Sequence, residues 1–406
     1  MNQNNIIRKQ FPIFEKKLNN NNLIYFDNAA SSQKPECVIN KISDYYKYEY
    51  SNVHRGIHSL SQISTDKFEQ TRSAVKEFIN ANSTQEIIFT KGTTESINLV
   101  ASSWSDVFLN EGDEIIISTL EHHANIVPWQ IVCKKKKATL KIIPIDENGY
   151  IDLNDVKNLI SKKTKFISLI HISNVIGIET PIIEIIKLAH KANAQILIDG
   201  AQAVSHKKID VQKLNCDFYC FSAHKMYGPT GVGILFGKKK ILEKMSPYQT
   251  GGEMIKEVSF NETTFNDLPF KFETGTPNIT GIIALKESID FINSIGFEYI
   301  QQYEKELLEF LIDKLTKFPY LKILGGNNKN KNSIVSFNMK KIHHYDAGSF
   351  LNNFGIALRT GHLCAQPLMN RYNVPGTIRV SFAIYNNFEE IEFFIQSLKQ
   401  IKKLFQ

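Results

Sequence analysis

From about Leu23 to Phe236 the chain alternates short apolar runs, rich in β-branched residues, with longer segments whose apolar residues recur every three or four positions. Runs of the first kind are typical of buried strands, and segments of the second kind are typical of helices with one buried face. Strands of continuous apolar character separated by helices form a mainly parallel sheet that is covered on both faces, so the sequence predicts an α/β fold. The strand candidates are EIIFT (86–90), EIIIS (114–118), KFISLIHIS (165–173), AQILID (194–199), FYCFS (218–222) and GVGILFG (231–237).

The C-terminal third of the chain has a different pattern. A long helix is predicted from about Thr280 to Phe318, with a break near Gly296. Further strands are predicted at 333–338, 356–359 and 377–384, and further helices from about Tyr345 and Asn387. This mixture is typical of a smaller α+β domain. We therefore expect an N-terminal segment (1–22) that packs on the small domain, a large domain (23–290) and a small C-terminal domain (291–406).

Composition and charge argue against several other classes of protein. No stretch approaches the roughly 18 uninterrupted apolar residues that span a bilayer, and the N-terminus resembles neither a secretory signal nor a transit peptide. The net charge of +7 reflects a general richness in lysine, and no nucleic-acid-binding motif accompanies it. Five scattered cysteines favour reduced thiols over a disulfide framework. We expect a cytoplasmic protein that binds neither membranes nor nucleic acids.

Ligands of an open α/β sheet bind beyond the carboxyl ends of its strands, so the residues that follow each strand are the candidates for chemistry. After EIIFT comes KGTTES, in which Gly92 allows a tight turn and Thr94 can cap a helix whose free N–H groups suit a phosphate. After EIIIS comes the pair His122-His123. No partner ligands at metal spacing accompany this pair, so we expect no metal site; a ring that stacks on a flat cofactor and an ordinary histidine both remain open.

The next three strand ends add further polar groups. KFISLIHIS delivers Asn174, and AQILID ends in Asp199, whose charge is costly in a buried strand unless it caps a turn or meets a cation such as a protonated pyridine nitrogen. FYCFS leads to Lys225, where a low dielectric gives the neutral amine that a Schiff base requires. Ser222 and His224 flank this lysine as phosphate donors. Together these groups are the parts of a pyridoxal-phosphate site.

Two residues of the C-terminal third extend the predicted site. Cys364 lies in a loop between two predicted strands, near Arg359 and His362, and cationic neighbours favour a reactive thiolate; a buried structural cysteine is the alternative. Arg379 stands in mid-strand, on the face opposite to three apolar residues. It is therefore suited to bind a substrate carboxylate through two hydrogen bonds, with an ordinary salt bridge as the alternative.

Taken in order, these motifs resemble the SufS type of cysteine desulfurase, a fold-type-I enzyme of the class-V aminotransferase-like family. The similarity runs from about residue 23 to 385, and its last motif separates this type from the NifS/IscS group, whose cysteine loop is longer. The resemblance implies a mainly parallel sheet of the seven-stranded type. The motifs are DNAASSQKP (27–35), HRGIHSLS (54–61), GTTESINLVA (92–101), EHHANIVPWQ (121–130), DGAQAVSH (199–206), CFSAHKMYGPTG (220–231), ETGTPN (273–278) and RTGHLCAQPL (359–368).

The resemblance also implies a role for each candidate residue. Lys225 would form the Schiff base with pyridoxal 5′-phosphate, His122 would stack on the ring, Asp199 would pair with the pyridine nitrogen, and Gln202 would meet the phenolic oxygen. The phosphate would be held by Thr94, Ser222 and His224 and, from the neighbouring subunit of a homodimer, by Thr276. Cys364 would accept the sulfur. The substrate carboxylate would be bound by Arg379, with Arg359, Asn174 and His54 assisting.

Two residues depart from the family pattern. Ala223 stands where glycine is usual in the family. We expect its methyl group to crowd slightly the turn of Ser222 and His224, which is predicted to hold the phosphate. Leu363 stands where many relatives have histidine, which removes one proton carrier from the loop.

The implied reaction takes sulfur from L-cysteine, releases L-alanine and leaves a persulfide on Cys364. A SufE-like acceptor protein would then receive the sulfur for iron–sulfur cluster assembly. A selenocysteine lyase shares every one of these residues, so that activity stays open. An aminotransferase does not require a cysteine at position 364. A scaffold protein without catalytic activity does not require the full set of site residues, which is Lys225, Asp199, His122, Arg379 and Cys364.

Overall fold

The computed structural model describes residues 3–326 and 331–404. Its strands are β1 (Lys17–Leu18), β2 (Asn21–Asn22), β3 (Ile24–Tyr25), β4 (Ile87–Thr90), β5 (Glu114–Ser118), β6 (Thr139–Ile143), β7 (Thr164–Ile170), β8 (Gln195–Asp199), β9 (Phe218–Ser222), β10 (Gly233–Gly237), β11 (Ile255–Val258), β12 (Thr263–Phe265), β13 (Leu321–Ile323), β14 (Ile334–Met339), β15 (Ile356–Ala357), β16 (Arg359–Gly361) and β17 (Thr377–Ser381). Its α-helices are α1 (Gln3–Arg8), α2 (Glu36–Tyr48), α3 (Ser59–Phe78), α4 (Thr93–Leu99), α5 (Ser105–Phe108), α6 (Val127–Lys136), α7 (Leu153–Leu159), α8 (Ile182–Lys191), α9 (Val211–Leu214), α10 (Lys239–Leu242), α11 (Ile279–Ile295), α12 (Phe297–Leu315), α13 (His344–Asn353), α14 (Gln366–Arg371) and α15 (Phe388–Leu404).

The largest sheet among the described residues has seven strands in the order β4-β10-β9-β8-β7-β5-β6. Strands β9, β8, β7, β5 and β6 are parallel to one another. Strand β10 runs antiparallel to both of its neighbours, β4 and β9. The predicted α/β fold with a mainly parallel sheet is therefore confirmed. The edge strand β6 was not predicted, because it follows a run of lysines and is only partly buried.

Alternate side chains of the large sheet point into two separate apolar layers. In β5, Ile116 packs in the larger layer, whereas Ile115 and Ile117 pack in the second layer with Trp104 and Trp129. This division follows from the two-residue period of a strand, which sends neighbouring side chains to opposite faces. Helices cover both faces, so the apolar runs are buried on both sides.

A second sheet, in the order β13-β14-β17-β16, is antiparallel throughout and belongs to the C-terminal third. The predicted long helix is broken as expected, since α11 ends at Ile295, α12 begins at Phe297, and Gly296 between them has a φ of +85°. The predicted domain boundary at residue 290 falls inside α11.

The N-terminal residues run along the C-terminal third. The side-chain amide of Asn4 donates to the carbonyl of Ile384, and Arg8 forms a 2.8 Å ion pair with Glu390. Strand β3 pairs in parallel with β15, which ties residues 24–25 to residues 356–357. Residues 1 and 2 of the predicted N-terminal segment lie outside the described residues. No helix among residues 3–326 and 331–404 is long and apolar enough to cross a bilayer.

Candidate active site

The strands β4, β5, β7, β8 and β9 end at one edge of the large sheet, and the residues that follow them line a cavity of about 320 Å³. This cavity brings together every residue predicted for the site except His54 and Thr276. The predicted residues that line it are Thr94, His122, Asn174, Asp199, Gln202, Ser222, His224, Lys225, Arg359, Cys364 and Arg379.

The turn between β4 and α4 forms one end of the cavity. Gly92 precedes the helix, and the backbone N–H of Thr93 donates to Oγ of Ser222 over 2.8 Å. A Cβ atom on Gly233 of β10 would stand 2.3 Å from Cα of Gly92, so the close approach of these two backbones requires glycine. The first N–H groups of a helix carry partial positive charge, so this turn suits a phosphate.

His224 and Ala223 occupy the turn that follows β9. Burial lowers the pKa of the His224 imidazole to about 4, with smaller contributions from the positive charges of Lys225 and Lys34, so the ring is neutral at pH 7. Ala223 does not line the cavity, and its buried methyl group faces Gly228, where a Cβ atom would come within 3.1 Å of it. The methyl group is therefore directed towards Gly228, and its effect on phosphate binding stays a prediction.

A carboxyl group and an amine line the middle of the cavity. Asp199 ends β8, and its Oδ1 accepts a 3.0 Å hydrogen bond from the N–H of Ala201. Burial raises the pKa of Asp199, and the hydrogen bond and the charge of Lys225 act in the opposite direction. Burial also lowers the pKa of Lys225, which favours the neutral amine.

The His122 ring is held in one orientation. Its Nδ1 accepts a 3.0 Å hydrogen bond from the N–H of Ala124 and caps the short turn His123–Asn125. Burial lowers the pKa of His122 to about 4, so the ring is neutral and carries its proton on Nε2. These features fit pyridoxal phosphate. The start of α4 suits its phosphate, the buried carboxyl group suits its ring nitrogen, the amine can form a Schiff base with it, and the fixed His122 ring can stack on it.

Another part of the cavity is built around Asp27, whose two carboxylate oxygens bind two arginines. Arg379 donates to Oδ1 over 3.1 Å, and Arg359 donates to Oδ2 over 2.7 Å. Arg379 also donates to the carbonyl of Asn174 over 2.9 Å. Two buried atoms among these residues, Nε of Arg379 and Oδ1 of Asn174, have no hydrogen-bond partner in the described part of the chain. They are available to a ligand with a carboxylate and a donor group.

Cys364 stands at the mouth of the cavity, in a loop that joins β16 to α14 rather than two strands as predicted. Leu363 and Cys364 have φ angles of +54° and +55°, which is unusual for two successive residues other than glycine. The loop is held in place because Asn174 donates to the carbonyl of Leu363 over 2.8 Å and the N–H of Gln366 donates to Nε2 of His123 over 3.0 Å.

The other four cysteines, all within the described residues, do not line this cavity. Cys133, Cys216 and Cys220 are buried, and burial raises the pKa of each, which keeps them as thiols. Cys37 is exposed on α2, and partial burial raises its pKa as well. Arg359 and Arg379 of the cavity carry positive charge and interact electrostatically with Cys364, and Lys225 interacts with it as well.

His54 and Thr276 line a second, smaller cavity of about 150 Å³ instead. The His54 ring is held between two carboxylates, with Nε2 3.1 Å from Glu69 and Nδ1 3.3 Å from Glu253. Within this chain these two residues therefore stand apart from the cavity that contains Cys364.

Three residues that the sequence analysis assigned no role also shape the site. Asp27 binds both arginines, and Lys34 contacts the turn that carries Lys225. Glu121 is buried beside His122 and accepts hydrogen bonds from Ser118 and Asn125. All three lie within the quoted motifs, but only a folded chain reveals which groups they meet.

Comparison with known proteins gives a consistent result. Residues 24–394 match the family model for aminotransferase class V. A cysteine desulfurase of Wigglesworthia glossinidia brevipalpis is 48% identical over 399 residues, which cover 98% of this chain and 97% of that relative. The structure of the apo cysteine desulfurase of Thermococcus onnurineus NA1 has a TM-score of 0.94 at 36% identity and covers 98% of both chains. The cysteine desulfurase CsdA of Escherichia coli has a TM-score of 0.92 at 36% identity, over 100% of this chain and 99% of that one.

Proposed function

Since the chain belongs to the aminotransferase class-V family and is a cysteine desulfurase that uses pyridoxal 5′-phosphate, we propose that Cys364 takes the sulfur atom of L-cysteine as a persulfide, in the manner of the SufS type. One observation carries this proposal: Cys364 is exposed and lines the same cavity as Lys225 and Asp199. The remaining cysteines lie elsewhere.

The residues around the cofactor divide the chemistry among them. When bound, pyridoxal phosphate supplies an electron sink for the charge that develops at the α-carbon of the substrate. Lys225 would be the point of covalent attachment, and after the amine of the substrate has taken its place, its free neutral amine would remove the proton from the α-carbon. Asp199 holds a proton on the ring nitrogen, and His122 covers the face of the ring. Thr94, Ser222 and His224 bind the phosphate, and Gln202 contacts the phenolic oxygen.

At the substrate end, Arg379 binds the carboxylate of L-cysteine through its unpaired Nε. Asn174 assists from the same part of the cavity, and Arg359 adds a second positive charge. The Cys364 thiolate then attacks the substrate sulfur. A sulfur–sulfur bond forms while the bond between Cβ and sulfur breaks, and its electron pair stays with the carbon fragment. That fragment takes up protons and leaves as L-alanine, so the persulfide on Cys364 holds the transferred sulfur.

A protein acceptor must come to the mouth of the cavity. The loop of Cys364 is short, since β16 ends at Gly361 and α14 begins at Gln366, so it cannot carry the sulfur far. We propose a SufE-like acceptor that supplies iron–sulfur cluster assembly in the cytoplasm. Selenocysteine is a possible second substrate, because none of the residues above distinguishes selenium from sulfur.

We also propose a homodimer with a large domain (23–290) and a small domain (291–406). The seven-stranded sheet lies within the first range and the four-stranded sheet within the second. Thr276 and His54 stand apart from the cavity of their own subunit, which supports the idea that they serve the site of the partner subunit. Thr276 would there bind the phosphate, and His54 would assist the carboxylate site.

One assay tests the proposed function directly. The enzyme is incubated with L-cysteine and a thiol reductant, and sulfide and L-alanine are measured together. Equal amounts of both are expected, and Lys225→Ala should lose both products together with the borohydride-reducible link to the cofactor. Retention of that link in Lys225→Ala would overturn the assignment of Lys225.

A further inference from the structure

The peptide oxygen immediately before Lys225 is surrounded by donors. The carbonyl of His224 accepts hydrogen bonds from the N–H of Ser32 over 3.0 Å and from Nζ of Lys34 over 3.0 Å. The hydroxyl groups of Ser31 and Ser32 each donate to the same oxygen over 3.2 Å. A carbonyl oxygen has two lone pairs. Four donors around one oxygen are therefore more than the hydrogen-bonding capacity of this peptide group requires.

The same segment holds the other side of the turn. Oγ of Ser32 accepts a 2.7 Å hydrogen bond from the N–H of Tyr227. Tyr227 has a φ of +66°, a conformation that residues other than glycine keep only when their surroundings impose it. Residues 31–34 therefore form hydrogen bonds with the residues before and after Lys225. They belong to a part of the chain that is almost 200 residues away.

Lys34 differs from the other donors to the His224 carbonyl because its side chain is charged. It is half-buried, and no described carboxylate lies within ion-pair distance of its Nζ, which instead contacts the carbonyl oxygens of Ser32 and His224. Burial lowers the pKa of Lys34 to about 8, so most of the ammonium groups are still charged at pH 7. The charge also acts on the neighbouring ring, because it lowers the pKa of His224. His224 and Lys225 are the titratable groups on the two sides of this peptide. Asp199, Arg379 and Cys364 face the Lys225 amine from other elements.

We propose that Lys34 is a positioning residue for Lys225: its ammonium group fixes the peptide between His224 and Lys225, and thereby sets where the amine and the imidazole stand in the cavity. This inference rests on the proposed role of Lys225 as the attachment point of the cofactor. It adds a residue that does not line the cavity and that acts through a backbone carbonyl.

Lys34→Met removes the charge and the donor but keeps the length of the side chain. A misplaced reacting group costs on the order of 10- to 100-fold in rate, so kcat should fall by about that factor while KM for L-cysteine stays nearly constant. The colour of the enzyme with bound cofactor should also titrate differently. Losing the hydrogen bond of Lys34 displaces the peptide that leads to the Lys225 linkage, so the midpoint of absorbance against pH should move. Lys34→Arg, which keeps charge and donors, should restore most of both properties.

Lys331 offers a matched control. It is buried, its Nζ donates to the carbonyl of Leu324 over 2.6 Å, and burial lowers its pKa to about 7, but it lies outside the cavity. Lys331→Met should leave kcat and the absorbance titration unchanged. If Lys34→Met also leaves both unchanged, Lys34 is merely structural and the proposal fails. Should Lys34→Met not fold, Lys34→Gln replaces it with the same two outcomes. Lys225→Ala tests the proposed function separately, since its borohydride-reducible link does not depend on Lys34.

Discussion

The carbonyl oxygen of Cys364 accepts a 2.7 Å hydrogen bond from the backbone N–H of His123. His123 follows directly on His122, so the loop that carries Cys364 contacts the turn that carries the His122 ring. Gln366 adds a second bond to the His123 ring. The positions of the thiol and the ring are therefore coupled through backbone contacts that a change of the Cys364 side chain leaves in place.

Cys364→Ser should therefore keep the cavity and the bound cofactor but release no sulfide above background. The visible absorption of the cofactor should still change when L-cysteine is added, because the binding residues are untouched. In the unchanged enzyme, a pulse of L-cysteine should add one sulfur atom to the peptide that contains Cys364, as detected by mass spectrometry. Cys37→Ser, which alters the other exposed cysteine, should behave like the unchanged enzyme. Added sulfur on any other cysteine would contradict the mechanism.

Arg379→Ala should weaken the binding of L-cysteine while leaving the cofactor spectrum intact. Loss of a charged hydrogen-bonded partner costs roughly 2–5 kcal/mol, so KM should rise by about 30-fold or more. Steady-state kinetics and an absorbance titration with L-cysteine measure this effect. Arg371→Ala is a suitable control because Arg371 pairs with exposed Glu147 away from the cavity. Unchanged affinity in Arg379→Ala would refute its role.

Two inactive variants should complement each other if Thr276 serves the partner subunit. In a mixed dimer of Lys225→Ala with Thr276→Val, one site carries both changes and the other carries neither. Mixed dimers should therefore regain about half of the activity of the unchanged dimer, whereas each parent variant alone stays low. Co-expression with two different affinity tags isolates the mixed dimer. The absence of recovery in purified mixed dimers would argue that Thr276 acts within its own subunit.

Lys331 should make stability depend on pH. Its pKa is about 7 in the folded protein and that of an ordinary lysine when unfolded, so between these values the unfolded chain binds more protons. Stability of the unchanged protein relative to Lys331→Met should therefore rise as pH increases from 7 to 9. One pKa unit corresponds to about 1.4 kcal/mol, so the trend should be visible in thermal unfolding midpoints. A difference that stays flat or falls over this range would contradict the burial of a charged Lys331.

The strand ends could be predicted from the sequence because they depend on local patterns. A buried strand followed by a glycine or a polar residue identifies Gly92, Asp199 and Lys225 without any knowledge of distant contacts. The edge strand β6 gave no such signal, since its residues are half-exposed and follow a run of lysines.

The supporting residues could not be predicted in the same way. Asp27 acquires its role only when it meets arginines that lie 332 and 352 positions later in the chain. Lys34 binds a backbone carbonyl, and a carbonyl has no signature in the amino-acid sequence. The placement of His54 depends on Glu253, which belongs to a different segment. Each of these contacts is a product of tertiary structure.

The pairing of Asp27 with Arg359 and Arg379 also has a consequence for synthesis on the ribosome. At about 5–20 residues per second, the ribosome needs on the order of 20–70 s to proceed from Asp27 to Arg379. A nascent chain that already contains Gly92, Thr94 and Lys225 does not yet contain either of these arginines or Cys364. The part of the cavity that the two arginines and Cys364 form is thus completed last, after the strand ends that carry Thr94, Asp199 and Lys225.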